Sequence, residues 1–377
     1  MKIVMLRSNP VNPDPRVEKE VNSLLKDKHK INIVAWDRNT EYKNKKEVIN
    51  FNNGNAEITK FGIKSEFGSG FKKNLFPLIK FQLKLFKWLI QNRKEYDIIH
   101  ACDFDTVIPA YICKKFLGKK YIYDIFDYYV DAFSVPKRLK KYIKSLDHIM
   151  INNADSVIIF SEMRKNQILG TTPKKIEVIH NSPSYNLLAF NDESLKRESG
   201  DKVKIVYVGI LNDDRFICEL IDLIKEYQEL ELHIGGFGKY EYYVKKESDN
   251  YNNIKYYGKL GYTETLELEK KCDLMVAIYN PKIPNHYYAA PNKFYEALML
   301  GKPLIMAKNT GMDNIIVKYN IGEVVEYNKE SVIDGIFKLI NRKSEWNNIS
   351  FTMRNIFIEN YSWDEMERRL LRLYKDI

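Results

Sequence analysis

Short apolar, β-branched runs alternate along this chain with segments of helical period. Runs near residues 2–6, 31–36, 97–101, 120–124 and 157–160 predict strands. Between them, patterns such as Val17, Val21, Leu24 and Leu25 put apolar residues on one helical face. That alternation predicts an α/β fold with a parallel sheet covered by helices on both faces. The polar stretch 182–201 breaks the pattern and predicts a linker. The pattern then restarts at 204–209, 230–234 (running into Gly235-Gly236-Phe237-Gly238), 273–278, 303–307 and 322–325, which predicts a second doubly wound domain. The last segment carries Met366, Leu370, Leu371, Leu373 and Tyr374 at the spacing of an amphipathic helix.

The expected organisation is therefore an N-terminal domain over 1–185, a linker over 186–200, a second domain over 201–360, and a terminal helix over 361–377 that packs on either domain. A chain of 377 residues is long enough for two cores of this size. Open parallel sheets bind ligands beyond the carboxyl ends of their strands, so the expected active site is a cleft between the two domains.

Composition narrows the picture only slightly. Hydrophobic residues at 45% and charged residues at 29% fit a soluble globular protein, and a net charge of +10 favours anionic partners. The lysines are dispersed and no nucleic-acid-binding module is evident, so nucleic acid is not an expected partner. The four cysteines are far apart with no C-x-x-C pair, which suggests neither a zinc site nor a disulfide framework and fits a reducing cytoplasm. Met1 leads directly into the first strand pattern, so no signal peptide or membrane span is expected there.

The most informative segment is 291–305. Pro291 at the first helical position and Gly301 at the C-cap bound a helix whose free N–H groups, with Lys293, suit a phosphate. Glu296, about a turn further on, suits sugar hydroxyls. The plain alternative is an amphipathic helix with Lys293 and Glu296 in solvent. Arg215, in Leu211-Asn212-Asp213-Asp214-Arg215, reads either as a phosphate ligand or as an ion-pair partner of Asp213 or Asp214. Asp127 follows a strand end among Phe126, Tyr128 and Tyr129, and either binds a sugar hydroxyl or serves the local structure, as Asp124 serves if it caps the next segment. His100 ends a strand, and Arg16 follows the first turn, where it meets an anion or pairs with Glu20. The glycines at 235–238 lack the G-x-G-x-x-G spacing of a dinucleotide site. No H-E-x-x-H, P-loop or paired Cys/His set appears, so no catalytic metal is expected.

The segment 291–305 resembles the donor-binding motif of family-4 retaining glycosyltransferases of the GT-B fold, two Rossmann-like domains facing a cleft. In weaker form the resemblance continues in family order through Asp14-Pro15-Arg16-Val17, 97–101, 154–158, Val178-Ile179-His180-Asn181, 206–209, 234–238, 254–259 and 272–274. It implies a metal-independent transferase of hexosyl type, with no cofactor, that retains anomeric configuration. The nucleotide-sugar donor is a substrate. Its expected site comprises Gly209, Arg215, Gly236, Lys259, Asn292, Lys293 and Glu296, with Glu296 on the ribose. Arg16, His100 and Asp127 fall on the acceptor side, and Asp127, Arg215 and Glu296 are the expected catalytic residues.

The chain departs from the family in having Tyr288 where a glutamate usually holds donor-sugar hydroxyls, and in keeping only Arg215 of a basic pair. Related readings are a GT-B sugar-nucleotide epimerase or phosphorylase, and a non-catalytic partner subunit. Similar enzymes assemble cell-surface polysaccharide or glycolipid, so a saccharide or lipid-linked acceptor is expected. The basic, aromatic-rich stretch 71–94 is either a crossover helix with solvated lysines or a dock on an anionic inner membrane surface.

Overall fold

The computed structural model describes residues 1–11, 14–66, 71–133, 135–184 and 202–377, and the side chains of these residues except at 71 and 72. The expected linker at 186–200 lies outside them. The chain divides into one unit of residues 1–180 with 366–377 and another of residues 181–365.

The strands of the first unit are β1 (Lys2–Arg7), β2 (Lys30–Asp37), β3 (Tyr42–Phe51), β4 (Gly54–Gly62), β5 (Ile98–Cys102), β6 (Lys120–Ile125), β7 (Ser156–Ile159) and β8 (Ile176–Val178). Its helices are α1 (Pro15–Lys26), α2 (Phe71–Gln91), α3 (Phe104–Leu117), α4 (Tyr129–Ala132), α5 (Lys137–Asn153) and α6 (Arg164–Gln167). The strand order is β3-β4-β2-β1-β5-β6-β7-β8. Ile3, Val4, Met5 and Leu6 are all buried, as a strand covered on both faces requires, and β1 pairs in parallel with both β2 and β5. The chain reverses direction across the sheet at β1 and β5. Right-handed crossovers therefore put α3 and α5 on the face opposite α1, and α2 packs beside α3. Asp14 caps α1 by accepting from the Val17 N–H.

One expectation for this sheet is corrected, because it is mixed rather than wholly parallel. β3 pairs antiparallel with β4 at the edge. β3 reads YKNKKEVINF and is largely exposed, so it shows no apolar run; charged residues on an edge strand also discourage pairing with another chain.

The second unit has β9 (Val203–Ile210), β10 (Leu230–Phe237), β11 (Ile254–Tyr256), β12 (Leu274–Ala277), β13 (Leu304–Ala307) and β14 (Gly322–Val325), all parallel, in the order β11-β10-β9-β12-β13-β14. Around them lie α7 (Ile217–Glu226), α8 (Glu241–Asn250), α9 (Tyr262–Lys271), α10 (Pro284–Tyr287), α11 (Asn292–Leu300), α12 (Asp313–Tyr319), α13 (Lys329–Asn341) and α14 (Trp346–Ile356). The last helix, α15 (Trp363–Lys375), contributes its residues from Met366 onward to the first unit. There Tyr374 and Leu370 are buried and Glu367 bonds to Ser23 and Lys26 of α1. Reversals between β1 and β5 and between β9 and β12 give each unit its own topological switch point, where ligands of open α/β sheets bind.

Candidate active site

At the switch point of the second unit, Gly209 is the last residue but one of β9, and β10 runs beside it in register, Gly235 against Val208 and Gly236 against Gly209. A β-carbon on Gly236 would stand 1.8 Å from the Gly209 carbonyl oxygen, and φ there is +138°, so only glycine fits. A β-carbon on Gly209 would lie 2.7 Å from Lys293 Nζ. The missing side chain at Gly209 leaves room for the Lys293 ammonium near the carboxyl edge of the sheet.

Lys293 sits on the first turn of α11. Pro291 is the N-cap of that helix in extended conformation, φ −67° and ψ 141°, rather than its first helical residue, and Gly301 is the left-handed C-cap. The solvated alternative for this helix does not hold, because Lys293 is 8% exposed and Glu296 5%. Burial alone lowers an ammonium's pKa. Here Tyr279, Tyr207, Glu296 and Glu269 outweigh it and hold Lys293 above its ordinary value. The ammonium lies 4.6 Å from the centre of the Tyr207 ring, and burial together with its surroundings pushes the Tyr207 hydroxyl up to about 12.

Arg215 follows β9 in a short 3₁₀ turn, Asp213–Arg215. Its guanidinium lies 4.1 Å from the Tyr279 ring centre, 3.3 Å from Asp214 and 2.7 Å from His286 Nε2. His286 Nδ1 is 3.0 Å from the Asn280 carbonyl, so the network assigns the proton to Nδ1 and leaves Nε2 to accept from Arg215. Burial and then Arg215 keep this histidine below its ordinary pKa, in the neutral form that can accept. Of the two aspartates beside Arg215, Asp214 is its partner, while Asp213 pairs with Lys239 at 2.8 Å. Tyr279 links the two cations, flanking Arg215 and raising the pKa of Lys293.

Tyr279, His286 and Glu269 were not expected from sequence. His286 had no signal beyond being a histidine near the 291–305 motif. Glu269, from α9, is 1% exposed, and its carboxylate oxygens have no hydrogen-bond partner among the described residues. Burial, then Glu296, raises its pKa well above the ordinary carboxylate value, against the opposing pull of Lys293. Among the remaining expected residues, Asn292 is exposed on α11, and Lys259 is exposed with its ammonium 5.1 Å from the Phe237 ring centre.

In the first unit, Arg7 at the end of β1 pairs with Asp103 and lies 2.8 Å from Asp14. Asp103 accepts from the backbone N–H groups of Phe126 (2.9 Å) and Asp127 (3.1 Å). Burial first, against the opposing pull of Arg7, raises its pKa to about 6. The expected Asp127 is half exposed (49%), with Arg164 NH2 3.4 Å from its carboxylate. Arg164 itself is buried over the Phe160 ring, 3.7 Å from its centre, and sequence reading missed it because its helix, RKNQ, is short and polar.

Arg16 and His100, expected on the acceptor side, are closed inside the unit instead. Arg16 forks onto Asp124 at 3.0 and 3.2 Å and lies 3.1 Å from Glu20. His100 meets Asp124 at 3.3 Å and the Tyr374 hydroxyl at 2.7 Å. Asp124 thus serves this cluster rather than capping a helix. Glu20, His100 and Asp124 bring their ligand atoms within 4.8 Å of one another, but the Arg16 guanidinium already supplies the cation they face.

Residues 191–360 match the family model described as glycosyl transferases group 1. No curated protein matches the chain by sequence. Among solved structures, sucrose-phosphate synthase from Thermosynechococcus elongatus superposes with a TM-score of 0.76 at 14% identity, covering 100% of this chain and 99% of that one. Anabaena Alr3699/HepE in complex with UDP gives 0.72 at 14% identity, with 100% of both chains covered. A glycosyltransferase from Rickettsia africae gives 0.66 at 18% identity, covering 100% and 98%. These likenesses establish the fold.

Proposed function

Residues 191–360 are a glycosyl transferases group 1 domain on a GT-B fold, and from that premise we propose how this glycosyltransferase holds and activates its donor. The second unit binds a nucleoside diphosphate sugar, with Arg215 and Lys293 on the diphosphate and Glu296 on the ribose. What carries this reading is the placement of two cations near the carboxyl edge of the sheet, Arg215 4.1 Å from the Tyr279 ring centre and Lys293 4.6 Å from the Tyr207 ring centre, with Lys293 against Gly209.

The barrier to transfer lies in positive charge developing at the sugar and negative charge on the departing phosphate. Preorganised cations lower it by about 3 kcal/mol for each well-placed group. Lys293 supplies the second positive charge that the incomplete basic pair lacks. With both charges coming from the chain, the reaction runs without a divalent metal, and the resemblance of residues 291–305 to retaining transferases supports transfer with retention of the anomeric configuration. The Anabaena neighbour is described in complex with UDP-glucose, which makes that the first donor to test.

The acceptor is a saccharide or lipid-linked saccharide of cell-surface assembly, met at the inner face of the membrane. In support, α2 leaves Leu75, Phe76, Ile79 and Leu83 exposed. No described helix is long and apolar enough to cross a membrane.

The test is release of nucleoside diphosphate from a panel of nucleotide sugars, with membrane lipid extract or oligosaccharides as acceptors and EDTA present. One donor should turn over only with acceptor, giving a product of unchanged anomeric configuration by NMR. Arg215→Ala and Lys293→Ala should each lower kcat on the order of 100-fold. Conversion of a donor to an isomeric nucleotide sugar without acceptor points to an epimerase instead, whereas release of nucleoside diphosphate without acceptor is donor hydrolysis. Transfer that survives both substitutions removes the donor assignment.

A further inference from the structure

Helix α5 crosses from β6 to β7 and reads KRLKKYIKSLDHIMINN. It buries Asp147, Met150 and Ile151 in the first unit. A crossover helix ordinarily turns polar residues to the other side, but α5 leaves Leu139 (41%), Tyr142 (73%), Leu146 (37%) and Ile149 (45%) exposed. Spacings of three, four and three residues align them as one stripe along the helix. The same helix exposes Lys137, Arg138, Lys140, Lys141 and Lys144, and its single acid, Asp147, is buried. Of these cations Lys140 lies 3.3 Å from Asp131 of α4. The α2 lysines are more engaged, since Lys80 meets Glu41 at 3.4 Å and Lys84 meets the Lys43 carbonyl at 3.1 Å. Helix α3 packs against both α2 and α5, so their exposed apolar residues belong to one face of the sheet.

The charge selects the occupant. A second copy of this chain docked through a two-fold axis on α5 would bring its cations against themselves, at a cost that grows as water is excluded. Nucleic acid would use the lysines but leave the Leu139, Leu146 and Ile149 stripe without a partner. An anionic bilayer satisfies both halves, with phosphates for the cations and the headgroup–acyl boundary for the stripe and for an amphipathic tyrosine. We propose that α5 docks the first unit on an anionic membrane surface, with Tyr142, Leu139, Leu146 and Ile149 entering the boundary and Lys137, Arg138, Lys141 and Lys144 on the lipid phosphates. This inference uses only first-unit residues and stands apart from the donor assignment.

The experiment is flotation of the full-length protein with phosphatidylcholine vesicles, with and without phosphatidylglycerol. It compares wild type, a charge variant (Lys137→Glu, Lys141→Glu, Lys144→Glu) and a stripe variant (Tyr142→Ser, Leu146→Ser). Circular dichroism and cooperative thermal unfolding report that each variant is folded. Each lysine near an anionic surface contributes roughly fivefold in affinity. The charge variant should therefore bind phosphatidylglycerol vesicles on the order of 100-fold more weakly, and the stripe variant should also lose binding while keeping its cations. Absence of wild-type binding to anionic vesicles overturns the proposal, as does undiminished binding by either folded variant. A stripe variant that keeps vesicle binding but changes oligomeric state, or a wild type that retains RNA rather than vesicles, also overturns it.

Discussion

The ammonium of Lys293 occupies the space beside Gly209 that any larger residue would claim, 2.7 Å from where a β-carbon would stand. The first prediction concerns this pair. Gly209→Ala pushes the far end of a flexible lysine, and because φ at Gly209 is +159° it also strains the backbone. The displaced ammonium no longer meets the diphosphate, and a hydrogen bond to a charged group is worth about 1.5–3 kcal/mol. Nucleoside diphosphate affinity should fall about 10- to 100-fold by calorimetry, alongside a drop in the melting temperature of the free protein as the strained backbone costs about 1–3 kcal/mol of stability. An unaltered affinity would place the diphosphate away from Lys293.

A second prediction follows from the neutral His286. Its Nε2 orients Arg215 at 2.7 Å and lies 3.2 Å from Asp214, while Nδ1 faces the Asn280 carbonyl and Tyr279 packs against its ring. Protonation removes the acceptor and sets a second cation against Arg215. His286 titrates below its usual 6.5, so donor affinity should hold at neutral pH and fall on acidification below that value. His286→Gln, which keeps an acceptor, should retain most affinity at pH 7 and lose part of the acid limb. His286→Ala should weaken binding about tenfold throughout. Calorimetry across the pH range for the three proteins decides this.

Asp147 offers a test of the first unit's core. Its carboxyl is buried under α5 and accepts from the Tyr123 hydroxyl at 2.8 Å. Burial pushes its pKa from 3.8 up to about 7. The folded state thus holds a proton that the unfolded chain has released, so this group's contribution is fullest below pH 3.8 and is lost as pH rises to about 7. Asp147→Asn keeps an acceptor for Tyr123 and carries no charge. Its stability relative to wild type in urea should rise by up to about 1.4 kcal/mol per pH unit between pH 4 and 7, then level off. A flat difference would mean Asp147 is ionised in the fold.

How much of this was legible in the sequence depends on what each residue answers to. Strand positions such as Ile3–Leu6 and the C-cap Gly301 answer to local periodicity and backbone geometry, so they could be read directly. β3 could not, because an edge strand of lysine and asparagine has the composition of a loop. Lys293 was identified, but its burial was not, since the groups around its ammonium, Gly209 and Tyr207 of β9 among them, come from elements far away in sequence. Arg16 was read as either an anion ligand or a partner of Glu20, and the pairing four residues away holds. Only the fold shows that Asp124 and Tyr374, far apart in sequence from Arg16 and His100, complete the internal cluster. Glu269 and Arg164 lay beyond sequence reading for the same reason, each being defined by partners brought in from other elements.

The central claim is that the second unit binds a nucleoside diphosphate sugar through Arg215, Lys293 and Glu296. Thermal unfolding of wild type, Arg215→Ala and Glu296→Ala with UDP, UDP-glucose and the corresponding nucleotides of other bases tests it most directly. A ligand at 100 times its dissociation constant adds about 2.7 kcal/mol of stability. The account predicts a clear rise in melting temperature with one nucleotide series, reduced in both variants while their unliganded melting stays close to wild type. A wild type that no nucleotide stabilises, or a shift that both variants reproduce in full, would contradict it.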